Sequence, residues 1–184
     1  MIKSEKEKML SGNYYNAGDE ELVRERNYAR NLTFEFNHTR PNEKEKRQQI
    51  LKQLLNSKGW FHIEAPFNCD YGYNIEIGEN FYANFGCIIL DVNKVKIGNN
   101  VLLAPNVQIY TAAHPIDPTE RLTGKEYAKP IVIGNNVWVG GGTIICPGVK
   151  IGDNVTIGAG SVVTKDIPDN VIAVGNPCRV IKSI

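Results

Sequence analysis

The sequence predicts an all-β fold, a parallel β-helix of six-residue repeats, entered through an N-terminal α-helical segment. Three observations carry this. From Ile133 to Pro168 the chain divides into IGNNVW, VGGGTI, ICPGVK, IGDNVT, IGAGSV and VTKDIP, and each hexad starts with Ile or Val: Ile133, Val139, Ile145, Ile151, Ile157, Val163. The next residue is small or compact (Gly134, Gly140, Cys146, Gly152, Gly158, Thr164). The fifth is small or β-branched (Val137, Thr143, Val149, Val155, Ser161, Ile167). A period of six suits neither the 3.6 of an α-helix nor simple strand alternation. It suits a coil in which each hexad supplies one short strand and one corner. The aliphatic residue then points inward onto its equivalents, and Gly or Asn turns the corner.

The pattern continues upstream in two blocks. IGNNVL, LAPNVQ and IYT begin at Ile97, Leu103 and Ile109, and IGENFY and ANFGCI, more weakly patterned, begin at Ile77 and Ala83. Extra residues around Asp91 to Lys96 shift the register by two. A larger interruption, Ala112 to Pro130, runs for nineteen residues without hexads. Structureless loops of this length inside a compact domain are usually functional, and His114 stands at the root of this one.

Residues 1–59 read as helical and residues 60–184 as the coil, with 112–130 as an extruded loop. Ser4 to Glu7 fits a capping box, and Gly12 to Gly18 is a break. A second helix from Asp19 carries Leu22, Ala29, Leu32 or Thr33, and Phe36 at helical spacing. Asn42 to Glu45 is a second candidate box, before Ile50, Leu51, Leu54 and Leu55, and Asn56-Ser57-Lys58-Gly59 ends that helix. Such helices cap the open end of a coil, whose unpaired backbone groups invite edge association. Trp60 to about Asn93 enters the coil with rougher repeats, and 95–111 and 131–168 form the regular prism. The remainder, DNVIAVGNPCRVIKSI, reads as a last strand, a turn and a basic tail.

Composition excludes several functions. A net charge of +1 supplies no field to drive binding to nucleic acid or membrane. No run of eighteen apolar residues occurs, so no transmembrane helix is expected, and the charged start MIKSEKEKML lacks an apolar signal core. A cytoplasmic location is the expectation. Cys69, Cys87, Cys146 and Cys178 form no CxxC pair and read as reduced thiols. Cys69 and Cys87, eighteen apart, are placed to stack one coil apart.

The chain has three histidines. His38 lies at a helix end and reads as a cap or packing residue. His62 starts the coil without an evident partner. His114 follows a regular strand and opens the long loop, the place for a general base that titrates near neutral pH. No Cys lies beside a His, which argues against a covalent thiol route. No two histidines share a short ligand spacing, so no metal is expected. Trp138 should face outward, under either a subunit interface or a cofactor groove.

Eight segments carry a resemblance that covers nearly the whole chain: EKEKMLSGNYYN, EFNH, FNCDYGYNI, FYANFGC, LAPNVQIYTAAHPIDP, IGNNVWVGG, IGAGSVVTKDIP and GNPCRVI. They resemble the maltose and galactoside O-acetyltransferases among the hexapeptide-repeat acyltransferases, and CDYGYNI and HPIDP are nearer the maltose type. The resemblance implies a left-handed coil, an exception to the right-handed crossover rule. It also implies acetyl-CoA as co-substrate, a maltose- or glucose-like acceptor modified at the 6-hydroxyl, and a homotrimer with sites between subunits. His114, in TAAHP, matches the catalytic His of the family. Asn84 and Asp70 match acceptor-binding positions, although the galactoside type has Ser at the latter. Asn16 stands near an acceptor-binding Asp of the galactoside type and brings no charge. Gly141, Ala159, Thr164, Lys165, Arg179 and Lys182 match cofactor contacts, with Gly141 in place of a Ser. Plainer readings stand beside these: a coil corner for Asn84 and Gly140, a solvated charge for Lys182. Other acceptors (a galactoside, an oligosaccharide, a xenobiotic or an amino acid) and a non-catalytic β-helix scaffold are the alternatives.

Overall fold

In a computed structural model, which describes residues 3–184, three parallel sheets form the faces of a prism. The first face stacks Asn56–Ser57, Ile75–Ile77, Val95–Ile97, Ile131–Ile133 and Lys150–Ile151. The second stacks Phe61–Ile63, Phe81–Ala83, Leu102–Leu103, Trp138–Val139, Thr156–Ile157 and Val171–Val174, with Arg179–Ser183 antiparallel at its end. The third stacks Asn68–Cys69, Ile88–Leu90, Gln108–Tyr110, Ile144–Ile145 and Val162–Val163. The residues that open the hexads meet inside the prism. Ile77, Ile97, Ile133 and Ile151 are in register on the first face, and Leu103, Val139 and Ile157 on the second. All are buried.

The corner between first and second faces explains the repeated Gly-polar-Asn. Asn80, Asn100, Asn136, Asn154 and Asn170 all adopt positive φ, between 56° and 59°, where Asn is among the few tolerated side chains. The amide nitrogen of each of the first four donates to the Asn oxygen of the next coil, from Asn80 to Asn100 at 3.0 Å through to Asn154 to Asn170 at 2.8 Å. The residues just before them form a second ladder: the main-chain N–H of Glu79, Asn99 and Asp153 donates to the side chains of Asn99, Asn135 and Asp169. Gly98 is required here, since a Cβ would fall 2.6 Å from the carbonyl oxygen of Gly134.

The register departs from the hexads in three ways. Residues 70–74 are a further insertion, unread in the sequence, so that Cys69 stacks on Ile89 and not on Cys87. Both thiols are buried, and all four cysteines are free. The last hexad is short by two. Ile167, read as a fifth position, bridges Ile151 on the first face and takes an inward position that opens a coil. Finally, the segment 112–130 is not structureless: Ala112–Ala113 and Lys125–Ala128 pair as a hairpin, with a short helix, Pro118–Arg121, at its tip.

The N-terminal segment forms α1 (Glu5–Leu10), α2 (Glu20–His38) and α3 (Lys44–Leu54). The box of α1 is formed: Ser4 Oγ accepts the Glu7 N–H at 3.1 Å, and Glu7 Oε2 accepts the Ser4 N–H at 2.8 Å. The box expected at Asn42 is absent. Glu43 is the N-cap of α3 and makes no side-chain bond to the helix, because its carboxylate accepts the Arg40 N–H instead. Helices α2 and α3 share one apolar core with the coil through Ala29, Leu32, Phe36, Ile50, Leu51 and Leu54. Asn37 locks this junction, its amide bonding both the N–H and the C=O of Phe67 at 2.8 and 2.9 Å. The coil's first strand, Asn56–Ser57, lies just upstream of the boundary drawn at residue 60.

Candidate functional site

Insertions in three successive coils, residues 70–74, 91–94 and 112–130, all leave the prism at the edge after the third face. Together they build a ledge. The strand Tyr15–Asn16 joins it by pairing with Lys125–Ala128, giving a three-stranded antiparallel sheet. Tyr15, Met9, Leu22, Tyr71, Val92 and Ala128 form its own small core.

A carboxylate absent from the sequence-based candidates holds the ledge together. Asp91 is fully buried and accepts the N–H groups of Asp70 at 3.0 Å, Tyr71 at 2.8 Å and Asn74 at 3.3 Å. Burial pushes its carboxyl up to about 7, against the pull of these N–H donors. The signal was in the sequence: an Asp ending the apolar run IIL, where a charge is buried only if it is bonded. Asp70 beside it is partly buried. Burial raises its carboxyl, while Arg30 and Arg26 pull it down. Arg26 donates to the Tyr71 hydroxyl at 2.7 Å and to the Ala17 carbonyl at 2.5 Å, tying α2 to the ledge. The Tyr15 hydroxyl donates to Glu126 at 2.8 Å.

His114 is exposed and follows the strand Ala112–Ala113. The hairpin register, Ala113 opposite Tyr127, runs on from there towards Glu126. Asn16 pairs with Lys125 on the far side of the same sheet, two strand spacings or about 10 Å away. Its N–H donates to Glu5 at 2.6 Å, and its side-chain oxygen accepts the Gly18 N–H at 2.9 Å. The ledge thus gathers His114, Asp70 and Asn16, and Thr164 and Lys165 lie farther along the same edge after Val162–Val163.

Asn84, Gly141 and Ala159 lie on a different edge, the one entering the third face. Asn84 is half-buried at a corner, and its side-chain oxygen accepts the Phe85 N–H at 2.8 Å, which is the role of a corner Asn. Gly140 is there for packing, since a Cβ would sit 2.5 Å from the Ala159 nitrogen. Gly141 is looser, with a Cβ 3.2 Å from the Pro105 carbonyl, and Gly142 and Gly160 face open space. Main chain is therefore open to a ligand along this edge. Arg179 and Lys182 are exposed on the C-terminal strand, where Arg179 bonds the Cys178 carbonyl at 2.8 Å.

The other candidates fall away from both edges. His38 bonds the Phe34 carbonyl at 2.8 Å and packs on its ring, as a helix-end residue does. His62 has the partner the sequence did not reveal, Glu64 at 3.2 Å. Burial raises the Cys87 thiol to about 11 and also raises Cys69, Cys146 and Cys178, which disfavours a thiolate nucleophile. Among the described residues, no cluster of His, Cys, Asp or Glu is placed to hold a metal. Among the same residues, no helix is long and apolar enough to cross a membrane.

A coil of hexads with a hairpin extruded behind one strand defines the chain as a hexapeptide β-helix. Residues 8–59 match the maltose acetyltransferase hexapeptide capping motif, and residues 130–165 match the bacterial transferase hexapeptide (six repeats). The crystal structure of a maltose O-acetyltransferase from Clostridium difficile 630 is 63% identical, covers 100% of this chain and 99% of its own, and superposes with a TM-score of 0.98. Galactoside O-acetyltransferase of Escherichia coli K12 is 48% identical over 97% of this chain and 88% of its own length. A galactoside acetyltransferase solved in complex with coenzyme A is 46% identical, covers 100% of this chain and 92% of its own, and has a TM-score of 0.94. The chain belongs to the hexapeptide-repeat O-acetyltransferases of the maltose and galactoside type, and with that family it takes the left-handed coil and the acyltransferase class.

Proposed function

We infer that the chain transfers the acetyl group of acetyl-CoA to a sugar, a maltose- or glucose-like acceptor acetylated at its 6-hydroxyl, with His114 as general base. The observation that carries this is the position of His114: exposed at the root of the hairpin, on the ledge shared with Asp70 and Asn16. A sugar hydroxyl is a poor nucleophile near neutral pH. His114 takes its proton as the oxygen attacks the thioester carbonyl. The tetrahedral oxyanion collapses, the C–S bond breaks, and the imidazolium returns the proton to the departing thiolate. Asp70, Asn16 and Asn84 bind the acceptor. The residues present fit acetyl-CoA. Gly141 and Ala159 border open main chain for the pantetheine arm, Thr164 lies alongside, and Lys165, Arg179 and Lys182 supply exposed cations for phosphates.

The third face separates the two edges, so a site using both draws one edge from each of two copies. This supports a closed homotrimer, with the N-terminal segment contributing to the acceptor site. Sedimentation equilibrium should return three times the 20.5 kDa chain mass. A monomer at micromolar concentration would count against shared sites. Four free thiols suit a reducing compartment, and we place the protein in the cytoplasm.

Direct transfer requires both substrates bound together. Initial-rate lines at different fixed sugar concentrations should intersect, and enzyme incubated with acetyl-CoA alone should show no acetyl adduct by intact mass. Parallel lines, or a stoichiometric adduct discharged by sugar, would replace this mechanism with a covalent one. Lys165→Ala and Arg179→Ala should raise the Michaelis constant for acetyl-CoA by about tenfold or more and leave that for the sugar little changed. An equal loss with a dephospho-CoA thioester would exclude contact with the missing phosphate.

A further inference from the structure

The cleft between α3 and the first coil contains none of the residues assigned above. It encloses about 940 Å³, at the upper end of the roughly 300–1,000 Å³ of small-molecule sites. Gln48 and Lys52 of α3 line one wall, His62 and Glu64 of the coil line the other, and Trp60 stands at the rim. Trp60 is 60% exposed. His62 Nε2 lies 3.2 Å from Glu64 Oε1, and its ring stacks on Tyr82 with 7° between the planes. Arg47, nearly buried, sits 3.9 Å from the other Glu64 oxygen. Lys44, Arg47 and Lys52 are interspersed with Glu45 and Glu64, so the cleft carries no strong field of one sign to select an anion. An exposed indole at the rim of a cleft lined by carboxylate, imidazole and amide groups suits a neutral polyhydroxylated ring: its C–H face packs on the indole and its hydroxyls bond to the polar groups.

The cleft also adjoins the entering edge of the third face. The Glu64 N–H bonds the Ala83 carbonyl at 2.9 Å. Glu64 therefore lies directly below Asn84, one strand spacing or about 4.8 Å away. Phe85, beside Asn84 and 55% exposed, extends the same surface. The geometry points to a second carbohydrate subsite: the cleft holds the non-reacting units of an oligosaccharide acceptor whose reacting unit lies at Asn84. This rests on the sugar-acetylation reading and narrows its acceptor class to oligosaccharides.

The test compares kcat/KM for glucose, maltose and maltotriose at saturating acetyl-CoA. In the unmodified enzyme the value should rise by about tenfold or more from glucose to maltotriose. Trp60→Ala should abolish the rise and leave the glucose value unchanged, and Glu64→Gln should remove part of it. No rise with chain length, or an equal loss on glucose and maltotriose in Trp60→Ala, overturns the subsite. Calorimetric titration of maltotriose into the enzyme without acetyl-CoA separates the two ideas. Saturable binding that Trp60→Ala weakens supports the subsite even if no sugar is acetylated, an outcome that refutes only the acetylation reading. Absence of binding overturns the subsite.

Discussion

His114→Ala folds normally, binds acetyl-CoA, and turns over about 10²–10⁴-fold more slowly, the usual contribution of a positioned general base. Normal folding is expected because the side chain is exposed, outside both apolar cores. Cofactor binding is expected to persist because the residues assigned to the acetyl-CoA arm and phosphates are elsewhere. The loss should fall on turnover and not on the Michaelis constant for acetyl-CoA, since the imidazole acts on the proton in transit. Two measurements decide the matter: steady-state kinetics, and calorimetric titration of coenzyme A into the variant. A folded variant of near-normal activity would remove His114 from the mechanism. Loss of coenzyme A binding together with activity would make it a binding residue instead.

Phe81→Ala destabilises the protein by about 3–5 kcal/mol, the cost of deleting a buried aromatic ring. Phe81 is fully buried and in register with the equally buried Phe61 of the coil below. Its neighbours cannot close the cavity, because each coil is hydrogen-bonded to those above and below at a fixed spacing. Lys150→Ala, outward on the first face, should change stability by no more than about 0.5 kcal/mol. Denaturant unfolding at matched protein concentration checks both, since association also shifts apparent stability. A change below about 1 kcal/mol for Phe81→Ala would mean that the stacked interior is not what holds the coil.

The amino-acid sequence by itself determined the coil, its inward stack and its Asn corners. These repeat at a fixed interval, so each hexad reports the same local environment again. It also determined the first helix start and the buried face of α2, because a capping box and a 3.6-residue stripe are contained in one stretch of chain. His114 was legible as a candidate base because it is the histidine that opens the break in the repeat. What only the tertiary structure decided lies where phase is lost or partners are far apart. The insertion 70–74 and the shortened last hexad shift the stack by two residues, visible only once Cys69 meets Ile89 and Ile167 meets Ile151. The strand Tyr15–Asn16 finds its partner about 110 residues later, at Lys125–Ala128, and no local pattern announces that pairing. Asp91 is tolerated in an apolar run because three N–H groups from the preceding coil converge on it. The division of the candidate residues between two edges has the same origin. Which edge a residue occupies depends on its position within its coil, and that position is defined only when the coils are stacked.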